Sequence, residues 1–393
     1  MPKVLIAGGG IAGMAAAIAL ARLGWEVQLF ESAPALGEVG AGLQMSPNAC
    51  KALRDLGVLP DVAACATRPG SAVMRDGATG RVIFQAPLGD AAKQRWGAPY
   101  LHVHRADLLE VLAAAAARAG VSVHLGQAAE TAVTLPTEVS LHLANGTAMG
   151  GDLLIGADGI RSSLRAGLNP DEAPRFTGQI AWRALIPAER VAGADLARDA
   201  TVWSGPGQHL VSYYLRDGSL INLVAVAERP DWTEESWSAP GDAQALRAAF
   251  AGWHPTVTAL LACVEDCFLW GLFDRPEQVR WTEGRLALIG DAAHPMLPFM
   301  AQGAAMALED AVSLARHLQD AANIPRTLTA WEEARWSRVA RVQRQSRANG
   351  RLYHRGGLGR VLTHTPIGIV SRLAPGVAAG QLDWLYGYDP GRP

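Results

Sequence analysis

An α/β fold, with a parallel sheet interrupted by an antiparallel-β insertion and finished by a helical C-terminal region, is predicted by three observations. The first is a strand–helix–strand unit in the opening 31 residues: Lys3–Ala7 reads as a buried strand, 11–23 as an alanine-rich helix, and Glu26–Glu31 as a second strand with Val27, Leu29 and Phe30 apolar. The second is the return of short apolar strands ending in an acid, at 153–158 and 284–291. The third is residues 175–230, where "QIAWRALI", "ATVWS", "HLVSYYL" and "LINLVAVAE" alternate apolar and polar residues between turns, as antiparallel strands do.

The remaining elements follow in order. Residues 32–47 form a glycine-rich loop containing Gly37, Gly40 and Gly42, and 48–57 read as helix. Residues 71–100 read as short alternating strands with turns such as "RDGATG", and "HRADLLEVLAAAAARAG" as a strong helix. The strand "VSVHLG" can return to the parallel sheet, and Asn145-Gly146 signals a hairpin. Residues 243–253 and 302–319 read as helices, the chain stays helical to about 355, and the tail 356–393 is rich in Gly and Pro. These assignments divide the chain into a discontinuous nucleotide-binding domain (1–70, 101–174 and 271–325), a β-rich substrate domain (71–100 and 175–270) and a helical C-terminal region (326–393). A length of 393 residues exceeds what one core usually supports, which favours more than one domain.

Composition excludes several classes. Charged residues make up 18% and the net charge is −2, so nothing electrostatic points to nucleic acid or an anionic membrane. The apolar start resembles a signal peptide, but three consecutive glycines break it, and no run of 18 apolar residues occurs elsewhere. A cytoplasmic protein is expected. Cys263 and Cys267 are spaced neither as a CxxC nor as a zinc pair, so the four cysteines read as free thiols. His294 has no second ligand at metal-binding spacing, so no metal is expected. The arginines at 335, 338, 341, 344, 347, 351 and 355 mark one helix face, expected to be solvated or paired with acids.

Three motifs carry chemistry. In "GGGIAG", Gly8 permits a sharp turn, Gly10 lets a pyrophosphate approach the backbone, and Gly13 lets helix and strand pack closely; Ala12 lies between them. The helix start offers free N–H groups to the anion, and Glu31 at the end of the second strand can accept from ribose hydroxyls. An acid there repels a 2′-phosphate, so FAD or NAD fits better than NADP. In "LLIGADGIRSSLR", a strand ends at Asp158-Gly159; a plain capped helix start also accounts for it. In "LIGDAAHPMLPFMAQGAAMALEDA", Asp291 can accept from a hydroxylated chain. The helix opened by Gly303-Ala304 can place its positive end against a flat anionic ligand. A solvent-facing helix start capped by Asp291 is the alternative.

In this order the three motifs resemble the single-polypeptide FAD-dependent aromatic monooxygenases. The likeness is closest to the branch of salicylate and 3-hydroxybenzoate hydroxylases and 6-hydroxynicotinate 3-monooxygenase, which "GAGLQMSPNA", "HRADLLEVL", "HLVSYY" and "MAQGAAMALEDA" also resemble. The resemblance implies that Gly8, Gly10, Ala12, Gly13 and Glu31 hold the ADP half of FAD, that Arg105 contacts the cofactor, and that Asp158 lies near the pyrophosphate. It also implies that Asp291 binds the ribityl chain and that Gly42, Leu43, Gln44, Gly303 and Ala304 border the isoalloxazine. The implied reaction uses NADH or NADPH to reduce FAD and O2 to form a C4a-hydroperoxide, whose terminal oxygen enters a phenolic or hydroxybenzoate-like ring. His209 and Tyr213, evenly spaced on one strand, share a face. By resemblance that face lines the pocket, with His209 as base or proton relay and Tyr213 as hydrogen-bond partner. Pro298, Phe299 and Arg183 are further pocket candidates, the Pro298 carbonyl facing the ring; no arginine stands out as a clamp for a substrate carboxylate, so a carboxylate-free or larger aromatic stays open. Gln44 and Phe299 depart from the hydroxynicotinate enzymes and argue against that substrate. A flavin oxygenase acting on a larger metabolite, by epoxidation or oxidative decarboxylation, and a non-catalytic flavin-binding redox protein are the alternatives. A monomer or homodimer is expected.

Overall fold

The computed structural model describes residues 1–37, 42–191, 196–230, 239–276 and 279–392; Gly40 of the glycine-rich loop lies outside them. A six-stranded sheet has the order Thr282–Glu283, Leu286–Leu288, Leu153–Gly156, Lys3–Ala7, Glu26–Glu31, Ser122–Leu125. All its pairings are parallel except the first. Val4, Leu5, Ile6, Leu153, Leu154 and Ile155 have no solvent exposure, as expected for strands covered on both faces. The register aligns Phe30, Ala7, Gly156 and Leu288 across neighbouring strands. Gly8, Glu31, Asp158 and Asp291 therefore all leave the same carboxyl edge, where open α/β sheets bind ligands.

The second large sheet has eight strands, in the order Ala239–Gly241, Cys267–Asp274, Arg175–Pro187, Leu220–Glu228, Gln208–Leu215, Ala200–Gly205, Ser71–Asp76, Val82–Pro87. Its pairings are antiparallel except that of Ala200–Gly205 with Ser71–Asp76. One face buries Trp182, Ile186, Leu223, Phe250 and Leu260 in its own core. The opposite face looks toward the carboxyl edge of the parallel sheet. Gly42–Met45 and Leu101–His104 form a small antiparallel pair between the two.

Several local readings are corrected. Gly89–Trp96 is a helix, not a strand: Ala91, Ala92, Lys93 and Gln94 favour helix, and Gly97 ends it with φ 78°. The strand read as 284–291 stops at Leu288, because Gly290 takes φ 59° and starts a 3-10 turn over Gly290–Ala292. The helix read to 253 ends at Ala249. The Gly/Pro-rich tail is itself helical over Gly357–Leu373, Pro375–Gly380 and Asp383–Tyr386.

A buried ionic cluster fixes the helix Gly303–Leu318 against the long helix Ile324–Tyr353. Arg338 grips Glu309 with two bonds of 2.8 Å, and Arg335 reaches Glu309 at 2.8 Å and Asp310 at 2.9 Å. Asp310 also takes the His294 ring nitrogen at 2.6 Å and the Gly290 N–H at 3.0 Å. Glu309, Asp310 and Arg335 are essentially inaccessible, so each charge depends on its partners. The arginine face is thus acid-paired at 335 and 338, and at 347 through Asp274.

Candidate functional site: a crevice under a β-sheet roof

A continuous cavity of about 1340 Å3 runs from the carboxyl edge of the parallel sheet to the eight-stranded sheet. Every cofactor, pocket and catalytic candidate named from sequence lines it except Gly13. Gly13 acts by packing instead: a Cβ there would lie 1.9 Å from the Gly8 carbonyl oxygen. Gly8 takes φ 105°, and a Cβ on it would lie 2.3 Å from the Ala157 oxygen. A Cβ on Gly10 meets nothing within 4 Å, so the space beside it belongs to the cavity.

The acids at this edge are already oriented. Glu31 accepts from the Gly9 N–H at 2.6 Å with one oxygen, and from Ala33 N–H at 2.7 Å and the Ser32 hydroxyl at 3.0 Å with the other. Asp158 accepts from Ser163 and Leu164 with Oδ2, while its buried Oδ1 has no partner. Burial raises the Asp158 pKa. Arg105 is depressed by burial, an effect the nearby Asp291 carboxylate opposes. Asp291 is exposed to the cavity, its backbone carbonyl held by Arg165 at 2.9 Å.

The start of the Gly303 helix is left open. Gln302 precedes it, no side chain caps it, and no acid lies in its first turn. Instead Gln302 bonds Ser46 and Asn48, each at 3.0 Å, and Asn48 continues to Glu309 at 2.8 Å. The first N–H groups therefore remain for a ligand. Ala301 enters the helix in the left-handed region, φ 52°, a conformation costing an alanine about 1 kcal/mol. The preceding turn is gripped by the long helix: Gln343 bonds the Pro295 carbonyl at 3.0 Å, Ser346 that of Leu297 at 2.7 Å, and Asn349 that of Phe299 at 3.2 Å. The Pro298 carbonyl accepts the Ala301 N–H at 2.9 Å, so it is partly engaged within the turn rather than wholly free for the cavity.

The roof comes from register. Arg183, Val224, Val211, Val202, Met74 and Phe84 form one cross-strand row over five adjacent pairings, and all line the cavity. His209 and Tyr213 flank Val211 on the same face. His209 is 2% exposed, and its ring meets Phe299 at 5.3 Å. Burial and the neighbouring His354 hold its pKa well below the ordinary histidine range, so the ring is neutral. Burial raises the Tyr213 pKa, against the nearby Arg183 charge. Arg183 stacks on Trp270 at 5.2 Å and, among the described residues, has no carboxylate partner; its Nε lacks an acceptor. Burial lowers its pKa.

Sequence reasoning missed several neighbours. Tyr100 donates to Gln44 Oε1 at 2.6 Å, and the His102 ring lies 4.5 Å from Tyr213. Asn222 accepts the Gly42 N–H at 2.9 Å. His354 sits 2.7 Å from His209, nitrogen to nitrogen. None of these has a local motif. Only the alternation of "LINLVAVAE" could have placed Asn222 on the face of Tyr213.

The residues present fit FAD. The space at Gly10, the unpaired Asp158 oxygen and the uncapped helix suit a dinucleotide ending in a flat, electron-accepting ring. A nucleotide crevice beneath a sheet carrying an imidazole, a phenol and a guanidinium defines a nucleotide-dependent oxidoreductase. More narrowly, the chain belongs to the FAD binding domain family, which matches residues 1–346. It is 38% identical to a 3-amino-4-hydroxybenzoate 2-monooxygenase of Streptomyces platensis, over 99% of this chain and 96% of that one. It is 35% identical to a 3-hydroxybenzoate 6-hydroxylase of Polaromonas naphthalenivorans, over 99% and 96%. A salicylate hydroxylase solved with substrate superposes with a TM-score of 0.83 at 27% identity, covering 99% of this chain and 96% of that one. The chain is a flavoprotein monooxygenase with FAD as cofactor and NAD(P)H as reductant. Among the described residues, no helix is long and apolar enough to cross a membrane.

Proposed function

We propose that this monooxygenase hydroxylates a benzoate-type ring carrying both a hydroxyl and a carboxylate. The observation that carries this reading is the Arg183 guanidinium on the same roof as His209 and Tyr213: it stacks on Trp270, its Nε lacks an acceptor, and among the described residues it has no carboxylate partner. A half-buried cation with no acid among the described residues is incompletely compensated, and a substrate carboxylate would complete it. His209 would then receive the ring hydroxyl proton while Tyr213 orients the oxygen. The relatives named for 3-amino-4-hydroxybenzoate and 3-hydroxybenzoate favour the same substrate class.

FAD, when bound, supplies electron transfer from NAD(P)H and activation of O2. The protein's part is to bind and orient it. Gly8, Gly10 and Ala12 would receive the pyrophosphate, with Gly13 shaping that turn, and Glu31 would hold the adenosine ribose. Arg105 and Asp158 would flank the phosphates, and Asp291 would hold the ribityl chain. Gly42, Leu43, Gln44, Pro298, Gly303 and Ala304 would border the ring. The apolar Phe299 and Val211, which line the same cavity, would exclude water beside it. A cytoplasmic enzyme acting as monomer or homodimer on small molecules, not nucleic acid, is consistent with four free cysteines and a net charge of −2.

The cavity continues past Val211 to Val202, Met74, Phe84, Ile367 and Val370. That apolar extension favours, as a second reading, a ring bearing a larger apolar substituent. A panel of 3-amino-4-hydroxybenzoate, 3-hydroxybenzoate, salicylate and their carboxylate-free phenols, scored by NADH oxidation and product mass, tests both. We expect a hydroxy acid to accelerate oxidation and gain one oxygen. Equal stimulation by the carboxylate-free phenols would remove Arg183 as the anchor.

A further inference from the structure

His209 does not end at the cavity wall. Its Nδ1 lies 2.7 Å from His354 Nε2, which leaves Nε2 for a molecule in the cavity. His354, at the end of the long helix and 7% exposed, turns Nδ1 to two groups of opposite polarity. Glu228 Oε1 is 3.1 Å away and the Gln179 amide nitrogen 3.3 Å. Gln179 and Glu228 are cross-strand partners, so the pair is placed by register. His354 Nδ1 can therefore donate to Glu228 when protonated and accept from Gln179 when not; both tautomers are satisfied. The Gly207 N–H bonds the His354 carbonyl at 3.0 Å, and Glu228 N–H bonds the Gly207 carbonyl at 2.9 Å, which fixes the arrangement. The Glu228 side chain is 56% exposed. Inside one chain of contacts, burial changes from almost complete at His209 to open at Glu228.

We propose that His354 and Glu228 continue from His209 as a proton path, carrying the proton of a ring hydroxyl from the cavity to solvent. This rests on the reading that a ring hydroxyl sits at His209. The hydroxyl O–H breaks and its proton joins His209 Nε2. The His209 Nδ1 proton passes to His354 Nε2, and the His354 Nδ1 proton passes to the Glu228 carboxylate, then to water. The ring oxygen keeps the electron pair, and each imidazole ends neutral with its tautomer exchanged. Return of a proton to the product runs the same transfers backward. The physical need is clear: His209 is faced by His354 and Tyr353 from the long helix and by Phe299, and no carboxylate among these stabilises an imidazolium there. Burial lowers the pKa of both histidines, with Glu228 opposing it only at His354. A charge resting on His209 is unfavourable, whereas a charge change at Glu228 is met by solvent.

The test mixes FAD-loaded enzyme with 4-hydroxy-3-nitrobenzoate, whose phenolate is coloured, in weak buffer with a pH indicator. Phenolate formation and proton release are followed by stopped flow across pH. Wild type should release the proton in step with phenolate formation. His354→Leu and Glu228→Gln should each slow release at least tenfold, shift its pH profile, and recover with added imidazole for the former and formate for the latter. Glu228 is exposed, so its variant separates a proton role from a folding defect. Equal release rates and pH profiles in wild type and both variants would overturn the path while leaving the hydroxyl site intact. Failure of wild type to bind or ionise the probe would instead overturn the site reading on which the path stands.

Discussion

The carboxyl edge of the parallel sheet and the roof above it are built by opposite means. The edge is made of backbone and missing side chains: Gly8, Gly10 and Gly13 act by having no Cβ, and the open start of the Gly303 helix acts through its N–H groups. The roof is made of side chains brought together by register. Arg183 and Phe84, nearly 100 positions apart, share one row only because five strand pairings align them. A nucleotide can be held by features within a few residues of one another. A ring needs chemistry from many directions, and the chain supplies it from strands distant in sequence.

Substitutions at the edge test that contrast most severely. Gly13→Ala would drive a Cβ into the Gly8 carbonyl, and a loss of at least about 4 kcal/mol is expected, read as loss of soluble protein or of a cooperative melt. Gly10→Val, three residues earlier, should leave thermal stability of the cofactor-free protein near wild type yet abolish flavin retention. If both variants behave alike, the distinction between packing and cradle glycines fails.

Next in size is the cluster that holds the edge in place. Glu309→Ala leaves the buried Arg335 and Arg338 short of a carboxylate and should cost about 3–5 kcal/mol in denaturant melts. Burial pushes the Glu309 and Asp310 carboxyls up. Arg338 and Arg335 overcome this for Glu309, and His294 and Arg335 for Asp310, holding both below their ordinary range. A depressed folded-state pKa gives stability that is fully present above the unfolded value, about 4, and lost as pH falls through the folded one. The wild-type melt should therefore weaken below about pH 4, and Glu309→Gln should flatten that acid limb. An unchanged limb would place the titrating groups elsewhere.

Smaller still are changes of single contacts. Asp291→Ala should purify with much less flavin while melting normally without it; a fully yellow variant removes Asp291 from the ribityl contact. Arg183→Gln should keep its flavin and raise KM for hydroxybenzoates about tenfold, equivalent to about 1.4 kcal/mol, with carboxylate-free phenols unaffected. Equal losses for both classes would make Arg183 a structural partner of Trp270 instead.

The same contrast explains what could be read from sequence. GGGIAG, Glu31, Asp158 and Asp291 are local signals, each within a few residues of a strand end, and all of them lie at the expected edge. Even spacing on a strand put His209 and Tyr213 on one face, but only the family resemblance pointed that face at the pocket. His354 was not, because 145 residues separate it from His209 and nothing in its helix marks it. Arg183 gave only a weak signal, since a guanidinium is ordinary until no acid is found beside it among the described residues. The arginine periodicity marked a face but could not tell that Arg335 is inaccessible, which depends on Glu309 and Asp310 of another helix. Gly89–Trp96 was misread because its turn-like start hid four helix-favouring residues.

One corner of the molecule belongs to both walls. The Gly42 N–H is held by Asn222, and a Cβ on Gly42 would come within 2.7 Å of the Tyr213 ring. Displacement at this corner is transmitted to cofactor wall and ring wall together, so it is a poor place for substrate preference to diverge. The far end of the row, at Val202, Met74 and Phe84, lies on the strands beyond that of Tyr213, away from that corner, and there a lineage would exchange one aromatic ring for another with least disturbance to its redox machinery.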